Sequence, residues 1–109
     1  MLLYTPEAPA VRAVLRDALG WEHVDAHDGW LIFALPPAEL GVHPSDTARH
    51  AITLMCRDLS ATIDELSTKG IEFRGEPRDD EFGAWITMLL PGGVELMLYE
   101  PKHATPLDV

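Results

Sequence analysis

Val11, Val14, Leu15, Ala18 and Leu19 recur at spacings of three and four, so one face of residues 11–19 is apolar, and Gly20 stands where a helix commonly stops. Leu2 to Thr5 reads as a short preceding strand, closed by Pro6, which has no N–H to give a ladder. Trp21 to Asp25 and Trp30 to Leu35 flank the turn-forming Ala26-His27-Asp28-Gly29, which predicts a hairpin. Pro36-Pro37 ends its second strand, and Leu40 to His43 predicts one strand more. The same order then returns. Ala51 to Cys56 reads as a strand, Asp58 as the cap of a helix with the apolar stripe Leu59, Ile63 and Leu66, and Gly70 as its stop. Strands are predicted at Ile71 to Arg74, Ala84 to Leu90 and Val94 to Tyr99, the last two joined by the turn Pro91-Gly92-Gly93.

The recurrence is visible in the letters as well. RDALGWEHV is followed by PAELGVHP, and DELSTKGIEF by GVELMLYEP, a period of roughly 50 residues that marks a duplicated supersecondary unit. The expected architecture is α+β: two βαβββ modules in a single domain over 1–101, module one about 1–44 and module two about 50–101, joined by Pro44 to Arg49, with 102–109 as a polar tail. WLIFAL and AWITMLL are apolar on both faces, as strands covered on both sides are. One helix per module covers one face only, so the other meets the second module, a second chain or a ligand, and a cleft between modules is the default site.

Composition narrows the partners. Of 109 residues 47% are hydrophobic, enough for one core and not two. Eighteen acidic against eight basic residues give a net charge of -10, a field that repels phosphate backbones and anionic membranes and favours a cationic ligand or a metal ion. A single cysteine, Cys56, precludes an internal disulfide, suits a reducing cytoplasm and lies in the apolar run ITLMC as a small buried hydrophobe. MLLYTPEAPAV lacks the basic start of a secretory signal peptide, and no apolar run approaches the length of a membrane span.

GxGxxG, P-loop, GxSxG and HExxH motifs are absent, whereas five histidines and eighteen carboxylates leave metal chemistry open. The βαβββ-βαβββ order, the phrase RDALGW after the first helix and the closing GGVELMLYEP resemble the vicinal oxygen chelate superfamily of glyoxalases, extradiol dioxygenases and bleomycin-resistance proteins. The resemblance implies a glyoxalase-like concave mixed sheet. In metal-dependent members each module is expected to offer one ligand from its first strand and one from its last, which falls here on Met1, Gly41, Ala51 and Met97, with His50 one residue off register. None of these four supplies an oxygen or imidazole donor.

Period two along the strands places Glu39, Gly41 and His43 on one face, as it does Glu95, Met97 and Tyr99, while Leu40, Val42, Leu96 and Leu98 belong under the helices. Glu39, His43, Glu95, Met97 and Tyr99, with Ala51, Thr53 and Met55, are therefore the residues expected at the cleft. Three roles compete for the glutamates: exposed carboxylates paired with arginine, the wall of a pocket for a cationic or aromatic molecule with Tyr99 and a tryptophan stacking on it, or a relocated divalent-metal site of Glu39, His43 and Glu95. Trp30 and Trp85 read as core, and His23, His27 and His103 as loop or strand-edge residues. The expected function is metal-independent, cofactor-free binding of a small molecule in the inter-module cleft of a cytoplasmic homodimer, akin to bleomycin-resistance proteins. The competing expectation is a divalent-metal-dependent lyase or dioxygenase; catalytic residues are not legible under either.

Overall fold

The computed structural model describes residues 2–35, 37–38, 40–42 and 44–104. Pro9 opens α1 (Ala8–Ala13), which continues through a wider π turn at Val14–Ala18. A hairpin follows, β1 (His23–Asp25) with β2 (Leu31–Phe33), and then β3 (Thr53–Met55), α2 (Leu59–Thr68), β4 (Glu72–Asp80), β5 (Gly83–Leu90) and β6 (Val94–Pro101). The fold is α+β, with a four-stranded mixed sheet in the order β3-β6-β5-β4 and the hairpin as a separate two-stranded sheet. β3 runs parallel to β6, and the other pairs are antiparallel.

Local chemistry accounts for the second half. The Asp58 side chain accepts from the Ala61 N–H at 3.0 Å, and Glu100 Oε1 on β6 accepts from the Leu59 N–H at 2.9 Å, so two carboxylates satisfy the orphan donors of α2. Gly70, at φ 88°, closes the helix with Ile71 N–H donating to Leu66 O at 3.1 Å. At Gly83, φ 155°, an added Cβ would run into the Glu100 carbonyl, which is why the β4–β5 turn needs glycine there.

Alternation along β5 and β6 sends Ile86, Met88, Leu90, Leu96 and Leu98 to one face, where they form a single core with Val11, Ala18, Leu59 and Leu66. Both helices therefore cover the same face of the four-stranded sheet. The opposite face has no helical layer among the described residues.

The first half departs from the expected βαβββ order. Leu2 to Thr5 is not a strand, and neither are Leu40, Gly41 and Val42; His43 lies outside the described residues. In the second half the first strand survives by pairing with the last, β3 on β6. Residues 2–5 and 40–42 hold those places in the first half, and among the described residues neither pairs with the other as a strand. Gly41 and the flanking prolines weaken the later segment further. Leu40 and Val42, expected beneath the helices, are 89% and 91% exposed. The strand ends also shift: the hairpin strands are shorter than expected, β3 is confined to Thr53–Met55, and β4 extends to Asp80 through an irregularity between Arg74 and Arg78. Among the described residues no helix is long and apolar enough to cross a membrane.

Candidate functional site

The register of the four-stranded sheet arranges the helix-free face into rows. Met55, Tyr99, Trp85 and Arg78 stand side by side on β3, β6, β5 and β4. Thr53, Met97, Thr87 and Arg74 form the next row, followed by Glu95, Leu89 and Glu72. Thr53, Met55, Glu95, Met97 and Tyr99, all expected at the site, thus share this face. Glu39 and His43 lie outside the described residues, as does Met1. Ala51 is exposed and precedes β3; the residue in register with Met97 is Thr53.

Two side-chain systems organise the surface. The Arg74 guanidinium reaches over β5 to the Glu95 carboxylate, spanning two strand spacings of about 4.8 Å each. The pair is exposed and is worth no more than about 1 kcal/mol to the fold. Its effect is electrostatic, because it neutralises the carboxylate at the centre of the expected charged wall. Next to it, the Trp85 indole N–H donates to Asp80 Oδ2 at 2.6 Å, and the Arg78 guanidinium carbon sits 5.6 Å from the indole centroid. These contacts fix the plane of the ring.

Tyr99, 8% exposed, stands between Met55 and Trp85 in that row. Phe82 meets its ring edge-on with centroids 6.2 Å apart, and its hydroxyl lies 3.2 Å from His103 Nε2. His103 Nδ1 faces the Ala104 carbonyl at 2.8 Å; a carbonyl only accepts, so Nδ1 carries a proton, and in the neutral ring the Tyr99 hydroxyl donates to Nε2. Lys102 N–H donates to Phe82 O at 2.8 Å, and its ammonium pairs with Asp79, so residues 102–104 are strapped over the end of β5. His103, read from the sequence as a plain loop residue, is a partner of the site's tyrosine.

Trp85, expected in the core, stands half-buried on the open face, and Trp30 is 54% exposed. Trp85, Thr87, Arg74 and Arg78 were not among the expected site residues. The signal for Trp85 and Thr87 was present: carrying the alternation of β6 back through the Pro91-Gly92-Gly93 turn puts both opposite Tyr99 and Met97. Cys56 is half-buried, its N–H donating to Tyr99 O at 2.9 Å, and burial pushes its thiol up from the usual range.

Two hollows lie elsewhere among the described residues. One of about 360 Å³ is lined by Ala13, Val14, Asp17, Ala18 and Lys69, and one of about 260 Å³ by Val14, Glu72, Leu90 and their neighbours. The charges in the first are already engaged, Asp17 by Arg16 and Lys69 by Glu65 and the Ala18 carbonyl. The open sheet face is the better candidate because it gathers aromatic rings, thioethers and hydroxyls in register. Among the described residues no three His, Cys, Asp or Glu side chains converge as a metal site.

No protein-family model matches the sequence, and no curated protein does. Solved structures do. TnmS3, an antibiotic binding protein from Streptomyces sp. CB03234, superposes with a TM-score of 0.66 at 17% identity, over 92% of this chain and 91% of that one. A member of the glyoxalase/bleomycin resistance protein/dioxygenase superfamily from Sphaerobacter thermophilus gives 0.61 at 20% identity, over 91% of each chain. Lactoylglutathione lyase from Agrobacterium tumefaciens gives 0.63 at 16% identity, over 90% and 88%. The chain has the fold of this group, the vicinal oxygen chelate superfamily.

Proposed function

We propose that this chain binds a planar small molecule on the open face of its four-stranded sheet, needs no metal ion to do so, and holds the molecule unchanged. The observation that carries the reading is the pair of adjacent rows Met55–Tyr99–Trp85 and Thr53–Met97–Thr87. The half-buried Trp85 indole offers flat contact area beside the buried Tyr99 ring, thioethers are polarizable and adapt to an aromatic edge, and the threonine hydroxyls supply hydrogen bonds. A neighbour of the same fold is an antibiotic binding protein, which supports binding as the activity.

The donor chemistry supports metal independence. Met97 stands at an expected ligand position and Thr53 is the residue in register with it, and neither a thioether nor a neutral hydroxyl suits a hard divalent ion. Glu95, the described member of the alternative metal set, is tied to Arg74. Melting after chelator treatment, with and without Ni²⁺, Zn²⁺, Mn²⁺ and Fe²⁺, is expected to show no saturable shift. A shift abolished by Glu95→Ala would overturn the reading in favour of a metal-dependent enzyme.

A second copy of the chain is proposed as the cover. The hairpin pairs Val24 with Ile32 on a face where both are more than half exposed, and an isolated two-stranded hairpin is marginal in water. This apolar hairpin face is an uncovered surface that a homodimer can bury.

A further inference from the structure

We infer that the ligand of the open face is an aromatic anion, a flat ring system carrying a carboxylate or an equally charged planar oxyanion, and that Arg78 reads the charge while Trp85 holds the ring. This rests on the open face being the binding surface. Net charge alone points the other way, toward a cationic ligand, and the placement of individual charges reverses that expectation.

The carboxylate expected to form the cationic wall, Glu95, is neutralised by Arg74 across the sheet. The other carboxylate at that end, Glu72, lies in the third row beside Leu89, away from the aromatic row. At the aromatic end the order is inverted. Arg78 is in register with Trp85, its guanidinium rests against the indole, and among the described residues it pairs with no carboxylate. Of the two acidic residues that follow it, Asp79 pairs with the Lys102 ammonium, and Asp80, which keeps its charge, accepts from the Trp85 N–H.

A guanidinium held against an aromatic face keeps its fork of N–H donors for a planar oxyanion, and one side of the site is thus preorganised for a bidentate contact. The width of the row suits the same class. From Arg78 across Trp85 to Tyr99 is two strand spacings, roughly 9–10 Å, the reach of a bicyclic aromatic acid. The Arg74–Glu95 pair bounds the row on one side and the strap of residues 102–104 on the other.

Three probes of equal shape separate charge from ring: naphthalene-2-carboxylate, naphthalene-2-carboxamide and 2-naphthylmethylammonium, each titrated into the full chain and followed by the methionine methyl resonances. The carboxylate is expected to bind about tenfold more tightly than the carboxamide, and the ammonium most weakly, from one charge-assisted bidentate contact. Arg78→Gln is expected to bring carboxylate and carboxamide to equal affinity. Arg78→Lys, which keeps the charge and loses the fork, is expected to fall between them. An unchanged far-UV spectrum confirms that each variant is folded. Carboxylate and carboxamide binding equally to the native chain, a preference that survives in Arg78→Gln, or tightest binding of the ammonium would each overturn the inference while leaving the binding face in place. Failure of all three probes to bind would overturn the binding face itself and the inference with it.

Discussion

Met88 and Met97 provide a direct test of which face of the sheet is core. They lie on adjacent strands of the same sheet, one register position apart, and differ in the side to which they point. Met88 is 0% exposed and packs among the ten residues of the core cluster with Leu96 opposite; Met97 is half-buried on the open face. Truncating a buried methionine to alanine removes its transfer free energy and leaves a cavity, so Met88→Ala is expected to cost about 3–4 kcal/mol. At about 4 °C per kcal/mol for a chain of this size, the melting temperature falls by about 12–16 °C. Met97→Ala loses part of a transfer term and leaves no enclosed cavity, so it is expected to cost about 1 kcal/mol and about 4 °C. Urea unfolding followed by far-UV circular dichroism, with the m-value unchanged, measures both. A Met97→Ala variant as unstable as Met88→Ala would refute the assignment of faces. So would a Met88→Ala variant within about 1 kcal/mol of the native chain.

Asp58→Ala removes the α2 cap and is expected to cost about 1 kcal/mol, with Asp58→Asn nearly silent in the same unfolding assay, since asparagine also caps. Burial raises the Cys56 thiol, so folding favours its protonated form; this stability is complete at neutral pH and is lost as pH rises through the alkaline range, and Cys56→Ala is expected to abolish that loss in a pH series of melts. The same shift predicts slow reaction of native Cys56 with a disulfide reagent at pH 8 and fast reaction in urea; equal rates would contradict it. The native chain is expected to sediment as a dimer at tens of micromolar and Ile32→Lys as a monomer, and a monomeric native chain refutes the proposed cover.

The second half of the chain was legible because its local signals agree with one another. Asp58 caps and Gly70 stops the helix, the alternation of Val94 to Tyr99 sorts Leu96 and Leu98 from Met97 and Tyr99, and all of these hold in the structure. The first half carried the same letters with weaker support. A strand such as Leu2 to Thr5 forms only if a partner strand exists, and pseudo-symmetry alone supplies the position of a partner without its hydrogen bonds. Trp85 was assigned to the core because tryptophan in an apolar run usually is; the AWITMLL run is apolar on both faces, and only its register with β6 shows which side the indole takes. The Arg74–Glu95 pair was one of the roles foreseen for the glutamates, but its partner could not be named, since an arginine that reaches across an intervening strand leaves no mark in sequence spacing. The expected and the proposed charge of the ligand rest on different sums. Net charge sums over the surface, whereas a bound molecule meets only the charges left unneutralised within a few ångströms.

The central claim, that the open face of the four-stranded sheet is the binding surface, is tested most directly by the methyl resonances of the four methionines in selectively labelled protein during titration with naphthalene-2-carboxylate. Ring-current shifts are expected at Met55 and Met97, which flank Tyr99 and Thr87 on that face, with Met88 on the opposite face unmoved. Shifts at Met88 without Met55 and Met97, or no saturable shift at any of these three with the carboxylate, carboxamide or ammonium probe up to millimolar concentration, would contradict it.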